Sequence, residues 1–475
     1  MNERQLDKIV ERVVARLEKD IKGVTPRSGY LSSPTHQGTG GHGVFPTVDL
    51  AMDAAEKAFW ALQDCSLDDR KKMVQAIRDT IMEHREELSR MAVEETGLGR
   101  VVDKIAKNEL AAMKTPGPEI LEPKAYSGDH GLTICERAPF GIIGAITPCT
   151  NATETIVNNG ISMFSGGNIS VFNVHPSAKN VCNYTVSLMN QAIVKMGGPP
   201  NCLISIESPT IASANALMTH PKTRLVVVTG GPAVVKAAMN SGKRAIAGGP
   251  GNPPVVVDET ADIKQAAQGI IDGCSLDNNI VCIAEKELIV VDDVADILKR
   301  EMLSRTAVEV SGQDLKRLEK LIITPDDHVN RKLVGKNPSV ILGEIGIRVS
   351  DDVRIVLCEV DEKHPFVQHE LLMPVLGMVR VPNVDEAIEM AYRVEHNFFH
   401  TSIMYSHNIA KLHKMARKVN TSIFIKNAPS SAGLGLNGEG YTSWTIASPT
   451  GEGLTTAVSF TRERRCTLKE FFRII

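Results

Sequence analysis

Residues 141–174 read GIIGAITPCTNATETIVNNGISMFSGGNISVFNV. The stretch opens on GIIGAIT and closes on ISVFNV, two short apolar runs. Between them TETIVNNGISMFSGG has the length and spacing of a helix. A strand, a crossover helix and a second strand predict a parallel pair. The alternation continues through an HPSAKN turn, VCNYTVSLMNQAIVKMG, CLISIE, IASANALMTHP, LVVVTGG, AVVKAAMNSG and VVVDE. Short Val/Ile runs separated by helices predict an α/β fold, its parallel sheet covered on both faces. Ligands bind such sheets at the carboxyl ends of the strands. LVVVT ends in Gly230-Gly231-Pro232, and a helix follows directly. Backbone N–H groups there suit a pyrophosphate, though on this motif alone a plain strand-to-helix turn is the better reading.

From Glu259 to about Phe424 strands and helices alternate again, predicting a second α/β domain. It contains residues 277–286, DNNIVCIAEK, which place Cys282 between the helical IKQAAQGIIDGC and the β-branched ELIVV. A cysteine beside a helix-to-strand connection suits a nucleophile, provided something promotes its thiolate. A free cysteine is more often a small core hydrophobe. Cys274, closing the apolar helix, reads that way. Residues 433–438, GLGLNG, fit GxGxxG. They follow the strand-like SIFIKN at a distance, and no helical pattern comes after them, so they read as an ordinary glycine-rich loop.

The 475 residues are too many for one core. A hydrophobic content of 43%, 23% charged residues and a net charge of -3 fit a soluble globular protein and give no reason to expect nucleic acid. No apolar run is long enough to span a bilayer. Nine scattered cysteines without a CxxC argue for a reducing compartment and against a zinc site. Residues 48–121 are helical in pattern, with Ser66 and Asp69 as a cap and Gly97 as a stop. LTICERAP follows as an alternating strand. The final stretch, WTIASPTGEGLTTAVSFTRERRCTLKEFF, reads as short strands, a tail that pairs with a sheet, often that of another subunit. At the other end, Leu6, Ile9, Val10, Val13, Val14 and Leu17 form one apolar stripe on a helix. A Gly/Ser/Pro-rich linker separates it from the domains. The stripe suits docking on this protein, pairing in an oligomer, or binding another protein's groove.

PCTNATETIVNN, HPSAKN, TGGPAVV, GGPGNPPVVVDETAD, DNNIVCIAEK, HELLMPVL and SPTGEGLT occur in this order. Together they resemble the aldehyde dehydrogenase superfamily, in particular its CoA-acylating branch, the acetaldehyde and propionaldehyde dehydrogenases of bacterial microcompartments. The resemblance runs from about Phe45 to the end, and the first 45 residues resemble the encapsulation peptides of those enzymes. It implies two Rossmann-like parallel-sheet domains plus a strand oligomerisation element. The expected limits are an encapsulation helix at 1–20, a linker at 21–45, an NAD-binding domain at 46–258, a catalytic domain at 259–440 and an oligomerisation tail at 441–475. The NAD-binding domain also carries oligomerisation strands near 130–140.

The resemblance also implies roles. Cys282 matches the nucleophile. Asn151 resembles the oxyanion-holding asparagine, with Thr150 as a competing candidate, and the Cys282 N–H is the second donor. Thr147, Pro148, His175, Pro176, Gly230, Gly231, Val234, Glu370 and Leu372 match cofactor-binding positions. His175 stands at the adenosine ribose and Glu370 at the nicotinamide ribose. The cofactors implied are NAD and coenzyme A, with no metal. The partners are a short-chain aldehyde, coenzyme A, a microcompartment shell or cargo protein met through residues 1–20, and further copies of the chain in a dimer or tetramer.

One departure points to the reaction. Hydrolytic relatives carry a water-activating glutamate before the GG of the glycine loop, where this chain has Ala247. An acyl-cysteine without that base waits for a better nucleophile than water, and a thiol is one. The expected activity is NAD-dependent oxidation of acetaldehyde or propionaldehyde to acyl-CoA. Its rivals are a hydrolytic aldehyde dehydrogenase, a phosphorylating semialdehyde reductase and a non-catalytic scaffold.

Overall fold

The computed structural model describes residues 42–474. The apolar stripe at 1–20 and all but the last residues of the linker lie outside them.

Two parallel sheets organise the chain. The first has six strands in the spatial order Val44–Phe45, Leu203–Ile206, Ile169–Asn173, Ile142–Ile146, Thr223–Thr229 and Arg244–Gly248. Every neighbouring pair is parallel. The second has seven, in the order Ala307–Glu309, Ile355–Glu359, Val375–Val381, Glu287–Val291, Pro254–Val257, Thr401–Tyr405 and Ile423–Lys426, again all parallel. The central strands are buried at every position. Helices cover both faces, which is why these strands read as unbroken apolar runs.

The expected boundary at 258 needs correcting. Pro254–Val257 lies inside the second sheet, between Glu287–Val291 and Thr401–Tyr405. The crossing therefore falls in the glycine loop at 249–253. Composition gave no sign of this, because a Val-rich strand suits either sheet and register alone decides.

The helices Val48–Gln63, Leu67–Thr96 and Val101–Lys114 precede the first full strand–helix unit. Ser66 Oγ accepts from the Asp69 backbone N–H at 3.1 Å, and Gly97 ends its helix at φ 67°. The strand Thr461–Lys469 runs antiparallel to Gly131–Pro139 of the same chain along its whole length. The tail thus pairs with a strand of its own chain. The outer strand Lys124–Gly128 is exposed throughout. Residues 433–438 form the loop the sequence suggested: Lys114 Nζ donates to the Gly435 and Gly438 carbonyls at 2.7 Å, tying it to a helix. Among the described residues no helix is long and apolar enough to cross a membrane.

Candidate active site

Cys282 is partly exposed and follows a turn of unusual backbone. Asp277, Asn278 and Asn279 all lie in the left-handed region, at φ 49°, 54° and 67°. Asp and Asn tolerate that region better than other side-chain-bearing residues, yet three in a row need outside support. Every one has it. Asp277 Oδ1 accepts from the Arg100 backbone N–H at 2.7 Å, and its own N–H donates to Asp103 Oδ2 at 3.0 Å. Asn278 Oδ1 accepts from Arg100 Nε, and its Nδ2 donates to the Gly335 carbonyl and to Asn337. Asn279 Nδ2 donates to the Cys274 and Glu285 carbonyls, while Lys286 Nζ donates to Asn279 O and Oδ1. Gly99 leaves room for the Asp277 carboxylate, since a Cβ there would come within 1.9 Å of Oδ1.

Burial, reinforced by the neighbouring Glu370, pushes the Cys282 thiol up to about 12, while Lys286 and Lys107 pull the other way. Glu370 is raised by burial and accepts only a long hydrogen bond from the Gly251 N–H, at 3.4 Å. Gly251 sits between two reactive groups: a Cβ there would approach Cys282 O at 2.8 Å and His400 Cγ at 3.0 Å. His400 is buried and held neutral, its pKa driven down to about 3 by burial and by Lys286. Its Nδ1 pairs with Thr401 Oγ1 at 2.8 Å, and its Nε2 is buried with no partner. Cys274 is buried in its helix, and burial raises its thiol strongly, as suits a core cysteine.

Asn151 is the N-cap of the helix Ala152–Ser165, yet its side chain makes no capping hydrogen bond. The residue is 7% exposed, and its Oδ1 finds no partner. A good capping residue is therefore aimed elsewhere. Thr147, just past the strand Ile142–Ile146, also has a buried hydroxyl without a partner. Gly231 caps the helix Pro232–Met239, and a Cβ on it would meet nothing within 4 Å. Val234 lies beneath Gly230, at 2.9 Å from a Cβ built there. His175 and Pro176 are exposed, and His175 Nδ1 lies 2.6 Å from Ser177 Oγ. Pro148 is half-buried between Thr147 and Cys149. Leu372 has φ 54°, and its carbonyl accepts from Gly335 N–H.

The structure thus brings Cys282, Glu370, Gly251 and His400 together. It sets Thr147, His175 and Gly230 along one edge of the first sheet, where adjacent parallel strands end. The unpartnered Thr147 hydroxyl, the nearly free Glu370 carboxylate and the open Gly231 turn fit a nucleotide cofactor. The candidate cofactor residues Thr147, His175 and Gly230 thus follow their strands, at the carboxyl edge of the first sheet. Gly251, Cys282 and His400 all precede their strands in the second, at its amino edge. Sequence reasoning missed His400 because it looked at strand ends. It also missed the buried lysines 104 and 107, whose stripe carries no hydropathy signal. The strand Arg244–Gly248 reads RAIAG and brings no carboxylate; Ala247 is buried, with its N–H on Thr450 Oγ1.

Residues 41–326 match the model of the aldehyde dehydrogenase family. Over the full length of both chains, the sequence is 44% identical to acetaldehyde dehydrogenase (acetylating) EutE of Salmonella typhimurium. A crystal structure of Rhodopseudomonas palustris propionaldehyde dehydrogenase, with bound CoA and an acylated cysteine, matches with a TM-score of 0.89 at 50% identity. The match covers 90% of this chain and 98% of that one. The propionaldehyde dehydrogenase of the Clostridium phytofermentans fucose utilisation microcompartment matches with a TM-score of 0.90 at 46% identity, covering 91% of this chain and 100% of that one. That enzyme has also been solved with one cysteine and with one histidine changed to alanine. The two replaced positions stand as far apart in its sequence as Cys282 and His400 do here. With two parallel sheets meeting at a cysteine turn, and with likeness along its whole length, the chain belongs to the aldehyde dehydrogenase family.

Proposed function

We propose that this chain is a CoA-acylating aldehyde dehydrogenase that converts acetaldehyde or propionaldehyde to the acyl-CoA through a thioester on Cys282. The observation that carries this reading is a nucleophile site without a water-activating carboxylate on the glycine-loop strand, paired with a buried neutral histidine. The partly exposed Cys282 thiol gives its proton to solvent, and the thiolate sulfur forms a bond to the aldehyde carbon as the carbonyl π electrons move to oxygen. The Asn151 amide and the Cys282 N–H hold that oxygen; one such donor is worth about 3 kcal/mol in comparable sites. NAD, when bound, supplies the hydride acceptor. Thr147, His175, Gly230, Gly231 and Glu370 are the residues that hold it, with Pro148, Pro176, Val234 and Leu372 shaping the walls. With RAIAG in place of a carboxylate, water is not activated and the acyl group stays on sulfur. The free Nε2 of neutral His400 then takes the CoA thiol proton as the new C–S bond forms and Cys282 leaves.

The chain works inside a bacterial microcompartment, to which residues 1–20 dock it on a shell or cargo protein. The sheet of Lys124–Gly128, Gly131–Pro139 and Thr461–Lys469, exposed along its two outer strands, pairs subunits in a homo-oligomer. The exposed side chains of Tyr126, Leu468, Phe471 and Phe472 support that role. The domains follow: nucleotide binding before the glycine loop, catalysis after it.

Propanal and NAD⁺ without CoA should release about one equivalent of NADH per site and then stall. Mass spectrometry should find the acyl group on the peptide holding Cys282. Cys282→Ala should give no burst, and Cys274→Ala should keep it. Steady turnover to free acid without CoA would favour a hydrolytic enzyme instead.

A further inference from the structure

Two ammonium groups and two carboxylates lie buried behind the active site, and the reaction uses none of them. Lys104 and Lys107 stand one turn apart on the helix Val101–Lys114, both shut off from solvent. Lys104 Nζ lies 2.8 Å and Lys107 Nζ 2.5 Å from the same oxygen, Asp277 Oδ2. Lys107 also pairs with Glu154 at 3.1 Å and lies over the Trp444 ring. The cluster is electroneutral, and burial of Lys107 is outweighed by Asp277 and Glu154, so that it stays charged.

The two lysines meet the helix that Asn151 caps in different ways, Lys107 through the Glu154 side chain in its first turn and Lys104 through the backbone just before it. Lys104 Nζ also donates to the backbone carbonyl of Thr150, at 3.2 Å. Thr150 adjoins Asn151, beyond the carboxyl end of a first-sheet strand. Asp277 begins the left-handed turn that presents Cys282, before a second-sheet strand. One ammonium group thus ties together the two turns that supply the oxyanion donors. Neither sheet's own hydrogen bonding fixes the distance between those turns, because no strand pairs across from one sheet to the other.

We propose that Lys104 is a positioning residue, which holds the Asn151 turn in register with the Cys282 turn across the junction of the two sheets. The proposal rests on the thioester reading above. Lys107 shares the Asp277 oxygen, but it reaches the helix that Asn151 caps only through the Glu154 side chain, one turn further on, and holds no backbone group beside Asn151. Its role is stability.

The test compares Lys104→Met with Lys107→Met in the full chain. Each removes one buried ammonium from Asp277 and leaves the same net charge. Three quantities are measured: the thermal midpoint, the pre-steady-state NADH burst rate with propanal and NAD⁺, and the rate of Cys282 alkylation by iodoacetamide at the same pH. Dividing burst rate by alkylation rate removes any change in thiol ionisation. Stability and rate should rank in opposite order. Lys107→Met should melt lower, having lost two ion pairs, and keep its normalised burst within about twofold. Lys104→Met should lose about 10- to 100-fold in normalised burst, the scale on which a displacement of about 1 Å slows an enzyme. The KM for NAD⁺ should not change. Should Lys104→Met fail to fold, Lys104→Gln gives the decision, since its shorter amide cannot span both acceptors and the same deficit is expected. Equal losses in both lysine variants, or a Lys104 variant within twofold of wild type, overturn the proposal while leaving the wild-type burst and the thioester reading standing. A wild-type chain with no burst overturns both.

Discussion

Asn151→Ala separates chemistry from stability with unusual clarity. Asparagine is among the best N-cap residues, and losing one to alanine typically costs about 1 kcal/mol. Here the side chain makes no capping bond, and its amide oxygen has no partner. Removing it therefore breaks no hydrogen bond within the protein, and the expected loss of stability is below about 0.5 kcal/mol. The oxyanion is another matter. Loss of one preorganised donor raises the barrier by about 2.7–4 kcal/mol, or about 10²–10³-fold in rate. Asn383 is the matched control. It caps the helix Val384–Val394, accepting from the Glu386 backbone N–H at 3.0 Å, and stands apart from the reaction. Asn383→Ala should lose about 1 kcal/mol of stability and no activity. The assay is the NADH burst by stopped flow, paired with urea unfolding of each variant. Thr150→Val, run alongside, should keep the wild-type rate. The reasoning fails if Asn151→Ala acylates within tenfold of wild type, or if its rate loss is matched by an equal loss of stability. A slow Thr150→Val with a normal Asn151→Ala would assign the donor to Thr150.

His400→Gln should keep the CoA-free burst and lose about 10²-fold or more in CoA-dependent turnover, within the range of a missing general base; a diminished burst would place the histidine in the first half-reaction instead. The same residue carries a pH signature. The unfolded chain's histidine takes up a proton near pH 6.5, whereas burial and Lys286 hold the folded one neutral down to about 3. The unfolded state thus binds more protons below pH 6.5, and wild type should lose stability there faster than His400→Gln. Parallel unfolding midpoints from pH 7 to 4 would count against a buried neutral ring. Deleting residues 1–20 should leave kcat and KM unchanged while abolishing entry into assembled microcompartments, followed by fluorescence of a fused reporter; altered kinetics would make the stripe part of the enzyme's own structure.

What the sequence made legible follows from how each feature is encoded. Parallel strands buried on both faces write themselves as Val/Ile runs, so the alternation from Gly141 onward gave the α/β class directly. Cys282 stood out as a candidate because nucleophiles come from a short menu of residue types and the segment around it resembles a known family. The sheet that takes Pro254–Val257 was not visible, because four apolar residues carry no information about their partner strands. His400 was hidden by a rule applied too widely. The carboxyl-end expectation belongs to a sheet that binds its ligand alone, whereas here a second sheet faces the first and offers its amino edge. Lys104, Lys107 and Glu154 were hidden for a deeper reason. Sequence patterns treat a charge as a mark of solvent, and a buried charge is stable only through partners far away in the chain. Asp277 lies 170 residues from Lys107. No local window contains both, so the cluster that joins the two halves of the site exists only once the chain has folded.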